Sequence, residues 1–124
     1  MKLREIRNPV LIAALEELSS QKLPMVLGYK VNLMQEKIDA ALRGFEKTRL
    51  ARAADLASKD EEGKPMVEAN QYILSETSLS QLNQEIAELE NEEIEVPSLS
   101  LSQFPATVNL TPKQIGALKP LFGE

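Results

Sequence analysis

The chain contains no cysteine and no histidine. It therefore has no disulfide, no thiolate nucleophile, no imidazole acid–base catalyst and no zinc site of the usual ligand types. Tryptophan is missing too, and aromatic residues make up only 4% of the 124 positions, so few large anchors exist for a thick globular core. Long apolar runs are also absent: none approaches the ~18 residues that cross a bilayer. The opening MKLREIRNPVLIAALEELSSQ places basic residues before an apolar run, as a signal peptide does. Glu16 and Glu17 close that run early, and no small-residue cleavage pattern follows. A cytoplasmic protein without a membrane partner is expected.

Hydrophobic residues at 43% and charged residues at 27% are the balance of a soluble chain, sized for a single domain over 1–124. The net charge of −5 conceals an asymmetry, since residues 1–59 hold 11 Lys or Arg against 7 Asp or Glu, and residues 60–124 hold 3 against 12. The basic half and the acidic half should attract one another. A nucleic-acid partner is not expected, because the chain's own acidic half would partly neutralise any basic face.

Asn8 and Pro9 announce a helix over 9–19, the first as a side-chain cap and the second at a position where a missing N–H costs nothing. Val10, Leu11, Ala14, Leu15 and Leu18 follow helical spacing. A second helix is expected over 25–57, with Leu27, Val31, Met34, Ile38, Ala41 or Leu42, and Phe45 repeating at steps of three and four in a coiled-coil-like seam. At about 33 residues it would be ~50 Å long. A third, acidic helix is expected over 78–93, capped by Ser78 with Gln81 completing a capping box, and striped by Leu79, Leu82, Ile86 and Leu89. Folded back antiparallel, it would set Glu85, Glu88, Glu90, Glu92 and Glu93 near Arg43, Lys47, Arg49 and Arg52.

Two segments have β character. Residues 64–74 suggest a small hairpin turning at Ala69-Asn70. Residues 94–104 read as extended, with a change of face at Pro97, and would add to that hairpin or to another subunit. The chain closes on a helix over 112–119, with Thr111 as cap, Pro112 in first position, Gln114 completing a capping box, and Leu110 placed to staple onto Ile115. Leu118, Leu121 and Phe122 would dock on the body of the protein or grip a neighbour.

No motif carries chemistry. DEEG at 60–63 begins like a calcium loop but lacks the ligand spacing out to a glutamate at position twelve, so a solvated turn is expected. The glutamates from Glu85 to Glu95 lack the inward-facing carboxylates and histidines of a bundle metal site. Gly28 and Gly44 stand alone in the long helix, which excludes a phosphate-cradling loop and suggests a close helix crossing. The basic stretch from Arg43 to Arg52 contains a single aromatic, Phe45, which belongs to the apolar seam, so no free stacking ring is interleaved with its charges. No cofactor or metal is expected.

Taken in order, LPMVLGYKVNLMQEKIDAALRGFEKTR, KDEEGKP, a small hairpin, an acidic helix ending ENEEIEV and a closing LTPKQIGALKP resemble a family of small, mostly uncharacterised proteins encoded by tailed bacteriophages and prophages. That resemblance implies a phage protein in the host bacterial cytoplasm or the virion, either a minor virion component or an assembly helper, with no catalytic residues to carry over. The expected fold is mainly α: an elongated antiparallel helical hairpin with a small β element and a short C-terminal helix. Because a body two helices thick buries little apolar surface, a homo-oligomer is expected. Its contacts would run through Leu27, Val31, Met34, Ile38, Phe45, Ile115, Leu118, Leu121 and Phe122, to itself and to other phage or host proteins. The alternative function is a phage effector that binds and blocks a host enzyme or defence protein.

Overall fold

A computed structural model describes residues 1–105 and 108–122. The chain is mainly α, with helices α1 (Leu3–Ile6), α2 (Pro9–Ser19), α3 (Met25–Leu56), α4 (Glu76–Glu90) and α5 (Pro112–Leu118). One two-stranded sheet pairs β1 (Val67–Glu68) with β2 (Gln71–Tyr72), and 3-10 turns lie at Leu101–Gln103 and Lys119–Leu121. The described chain divides into two compact units, residues 1–42 with 92–124, and residues 43–91.

The first unit is built around the apolar faces of α2 and the beginning of α3. The Asn8 side chain accepts a hydrogen bond from the Val10 amide at 3.0 Å, so α2 begins where the Asn-Pro pair requires. Its buried stripe is Leu11, Ala14, Leu15 and Leu18, and α3 contributes Leu27, Val31, Met34 and Ile38. At the end of α2, the Gln35 side chain donates to the Ser19 hydroxyl at 3.1 Å. The short α1 was not expected. It buries Leu3 and Ile6, and the chain start pairs with residues 92–94: the Leu3 amide donates to the Glu92 carbonyl at 2.9 Å and the Ile94 amide to the Met1 carbonyl at 2.7 Å.

That pairing corrects two sequence expectations. The acidic helix stops at Glu90 rather than 93, because Glu92 and Glu93 are drawn into the ribbon with the chain start. The 94–104 segment adds no strand to the hairpin. It holds the N-terminus at Ile94, runs beside the tail at Leu99, whose amide donates to the Leu121 carbonyl at 2.8 Å, and then tightens into the 3-10 turn.

The tail itself is docked. Thr111 and Gln114 form the expected capping box, with the Gln114 amide donating to Thr111 Oγ1 at 3.1 Å and the Thr111 amide to Gln114 Oε1 at 2.9 Å. Helix α5 packs on α2. A reciprocal pair of hydrogen bonds staples the approach to α5 onto the loop after α2: Gln21 Nε2 donates to the Asn109 carbonyl at 2.8 Å, and the Asn109 amide donates to Gln21 Oε1 at 2.9 Å. Leu99, Leu118 and Leu121 are buried beneath, and the Phe104 and Phe122 rings meet edge to face at 6.0 Å.

In the second unit, the end of α3 returns through the β-hairpin to α4, a helical hairpin closed by the ion pair of Arg52 Nε with Glu85 at 2.9 Å. Phe45, Ala53, Ala57 and Leu82 are its buried apolar residues. Lys59 folds back so that Nζ donates to the Ala54 carbonyl, satisfying one of the open acceptors at the end of α3. KDEEGKP is a closed turn: Asp60 Oδ1 accepts from the amides of Glu62 and Lys64, both at 2.9 Å, Gly63 takes φ 79°, and Lys59 bridges to Pro65. The Asp60 carboxylate is thus engaged by its own loop, as a solvated turn requires.

The hairpin turns at the expected residues, Ala69 (φ 50°) and Asn70 (φ 64°), the doubly left-handed conformation that matches strand twist. It is anchored to the helix end, with the Ser58 amide donating to the Ile73 carbonyl and the Met66 amide to the Ser58 carbonyl, both at 2.8 Å. The cap of helix α4 lies three residues before the expected one. Ser75, not Ser78, caps it, accepting from the Ser78 amide at 3.2 Å. Both serines have the right chemistry, and the chain's exit from β2 leaves Ser75 extended at the point where the helix can first begin.

Candidate functional site

The residues expected to carry intermolecular contacts are mostly spent on the chain's own interior. Leu27, Val31, Met34 and Ile38 are at most 2% exposed within the first unit, and Phe45 is 3% exposed within the second. Leu118 and Leu121 are buried in the tail contact, while Ile115 and Phe122 are half-buried. A side chain with no accessible surface cannot be the first contact of a partner, so the seven buried positions serve as core, while Ile115 and Phe122 keep part of their surface open. The seam is real as a helical stripe, and its Leu27, Val31, Met34 and Ile38 are closed within the first unit.

The large apolar side chains left open lie elsewhere. On the first turn of α3, Met25 is 90% exposed and Val26 and Tyr29 each 67%. A shallow groove between α2 and α5 is lined by Val10, Ala13, Ala14 and Ala117, with Glu17 and Lys113 among its charged residues. In the second unit, a groove of about 660 Å³ lies between the end of α3, the hairpin and α4. Leu50, Tyr72, Leu74, Leu79, Leu82 and Ile86 make its floor and walls, and Asn70, Gln71 and Asn83 add polar groups. Leu50 and Leu79, on opposite walls, are each 46% exposed.

This groove follows from local chemistry. The tight turn at Ala69-Asn70 folds Tyr72 back beside α3, and the Ser75 cap starts α4 so that Leu79, Leu82 and Ile86 follow one another along its inner edge. Leu50 lies five residues beyond Phe45, out of step with the seam, and so it emerges beside the core instead of in it. That break in phase is the signal from which sequence reasoning could have found the groove; the weakening of the stripe after Phe45 hid it.

Charge around the groove is uneven. Arg49 is bound along its own helix to Glu46 at 2.8 Å, and the hydrogen bond it donates to that carboxylate raises its pKa. Arg52 is held by Glu85. Among the described residues no ion pair joins Arg43 or Lys47 to an acid, and both are exposed. In the first unit, the ammonium of Met1 contacts Glu93 Oε2 at 2.9 Å, and that hydrogen bond and charge lower the carboxylate's pKa. Among the described residues no cluster of three metal-ligating side chains is present, and no helix is long and apolar enough to cross a membrane. Comparison with protein-family models, with curated proteins and with solved structures gives no match.

Proposed function

We propose that the protein is a non-enzymatic phage protein, a minor virion component or assembly helper, that works by helix-mediated self-association and by contacts with other phage or host proteins. The observation that carries the contact function is the groove of the second unit, whose Leu50 and Leu79 walls stand half open beside Tyr72 and Leu74. Exposed large apolar side chains set among polar groups are what a protein-binding face presents before its partner arrives. The open first turn of α3 adds a second apolar face. The phage setting, in the host cytoplasm or the virion, rests on the sequence resemblance.

Quantitative mass spectrometry of purified virions, paired with affinity purification from infected cells, tests this reading. Stoichiometric presence in particles, or recovery with structural proteins during assembly, is the expected result. Absence from particles together with early expression and recovery of a host enzyme would replace it with the blocking-effector alternative.

A further inference from the structure

The hairpin of the second unit has one open main-chain edge. Its register pairs Glu68 with Gln71 and Val67 with Tyr72. The Ile73 amide donates to the Met66 carbonyl at 2.9 Å, and the Ile73 carbonyl accepts from the Ser58 amide at 2.8 Å. Along a strand, main-chain groups turn to one side and the other by alternate residues. With Ile73 bonded inward, the N–H and C=O of Tyr72 and the N–H of Leu74 therefore point outward. No hydrogen bond from a described residue reaches any of the three.

That open edge borders the groove. Successive strand side chains point to opposite faces, yet Gln71, Tyr72 and Leu74 all line it. A groove reached from both faces of a strand runs along its edge, and the other edge of β2 is taken by β1. Leu50 and Ala53 of α3 and Leu79, Leu82 and Ile86 of α4 supply the remaining apolar walls. The result is an apolar trough beside a row of unused main-chain donors and acceptors.

We infer that the groove takes an extended peptide segment of a partner protein, which adds as a third strand beside β2. The inference rests on the contact function proposed above and names the chemistry of the partner. A helix laid in the trough would cover its leucines and leave the three main-chain groups unmatched, because a helix bonds its own backbone internally. An extended chain meets both needs. Its N–H and C=O groups pair with Tyr72 and Leu74, and every second side chain enters between Leu50 and Leu79. The segment is accordingly apolar at alternate positions and has no proline where its amide faces β2.

The test is selection from a display library of short random peptides against the whole chain, with affinities then measured by fluorescence anisotropy. Selected peptides should be apolar at alternate positions, and amide NMR should show Tyr72 and Leu74 protected from exchange only when peptide is bound. N-methylating the peptide amides one at a time should weaken binding about tenfold or more at every second position and little in between, since a strand faces its neighbour with alternate amides. Leu79→Ser should weaken binding as well. Leu74→Pro removes an outward N–H that the fold does not use, and should weaken it more than Leu74→Ala. Even if Leu74→Pro failed to fold, the N-methyl scan on the wild type would decide the matter. Failure to select any binder overturns the inference. Peptides patterned at steps of three and four, or a scan without alternation, overturn it in favour of a helical occupant. Tyr72 and Leu74 amides already protected in a self-associated protein without peptide would give the groove to a second copy. The virion measurement of the assembly role is independent of each of these results.

Discussion

Replacing Gly44 with alanine is expected to stabilise the protein by about 1 kcal/mol. Inside a helix a glycine is less favourable than alanine by ~0.8–1.0 kcal/mol, because it has more backbone freedom to lose on folding. What the added methyl group meets decides whether that gain survives. A Cβ built at Gly44 has no atom within 4 Å, so it incurs no steric cost and adds little packing. The close helix crossing that an isolated helical glycine suggests is not there, and the backbone contribution alone sets the expected size. Gly63 supplies the opposite case: its surroundings are equally open, but its φ of 79° is left-handed, where alanine is disfavoured by roughly 1–2 kcal/mol. Urea unfolding followed by far-ultraviolet circular dichroism should therefore move the midpoint up for Gly44→Ala and down for Gly63→Ala, with the slope unchanged in both. A Gly44→Ala midpoint that stays put or falls would refute the reasoning, since it would mean that this face of α3 is covered in solution.

Leu118 is fully buried, so Leu118→Ala should cost about 2–5 kcal/mol in equilibrium unfolding, and a much smaller loss would show that the tail does not dock on its own unit. A double-mutant cycle on Arg52 and Glu85, whose side chains are 39% and 38% exposed, should give a coupling of ~0.2–1 kcal/mol that fades in high salt; a zero coupling at low salt would count against the pair. Glu93 should titrate below the ordinary glutamate range, and acetylating the N-terminal amine should bring it back, as read by carboxyl NMR shifts. Because the folded value is the lowered one, any stability from this contact is present above the ordinary glutamate range and disappears as pH falls through the lowered value. An unchanged titration after acetylation would remove the ammonium as the cause.

The correction at the seam bears on how the molecule could assemble. A seam of Leu27, Val31, Met34 and Ile38 open to solvent would have favoured a coiled-coil partner running along α3. With those side chains buried in the first unit, the large apolar side chains left open lie elsewhere, at Met25, Val26 and Tyr29 and at Leu50 and Leu79. In the second unit that surface is a short groove in which the apolar side chains stand beside Asn70, Gln71 and Asn83.

Sequence by itself determined the helices with strong local punctuation. Asn8-Pro9 starts α2, and Thr111-Pro112 with Gln114 starts α5, because a cap acts through atoms only a few residues away. The 32 residues of α3 and the Ala69-Asn70 turn were legible for the same reason: helical periodicity and turn propensity are short-range properties. The choice of Ser75 over Ser78 as a cap was not legible, since both serines can do that chemistry and the exit from β2 decides between them. Nor was the pairing of the chain start with residues 92–94, the docking of Leu99 beside Leu121, or the burial of the seam, each of which joins segments remote in sequence or depends on what covers a helix face. Periodicity says that a helix has an apolar face. Only the tertiary structure decides whether that face is closed by the chain itself, as for Leu27 to Ile38, or left half open, as at Leu50 and Leu79.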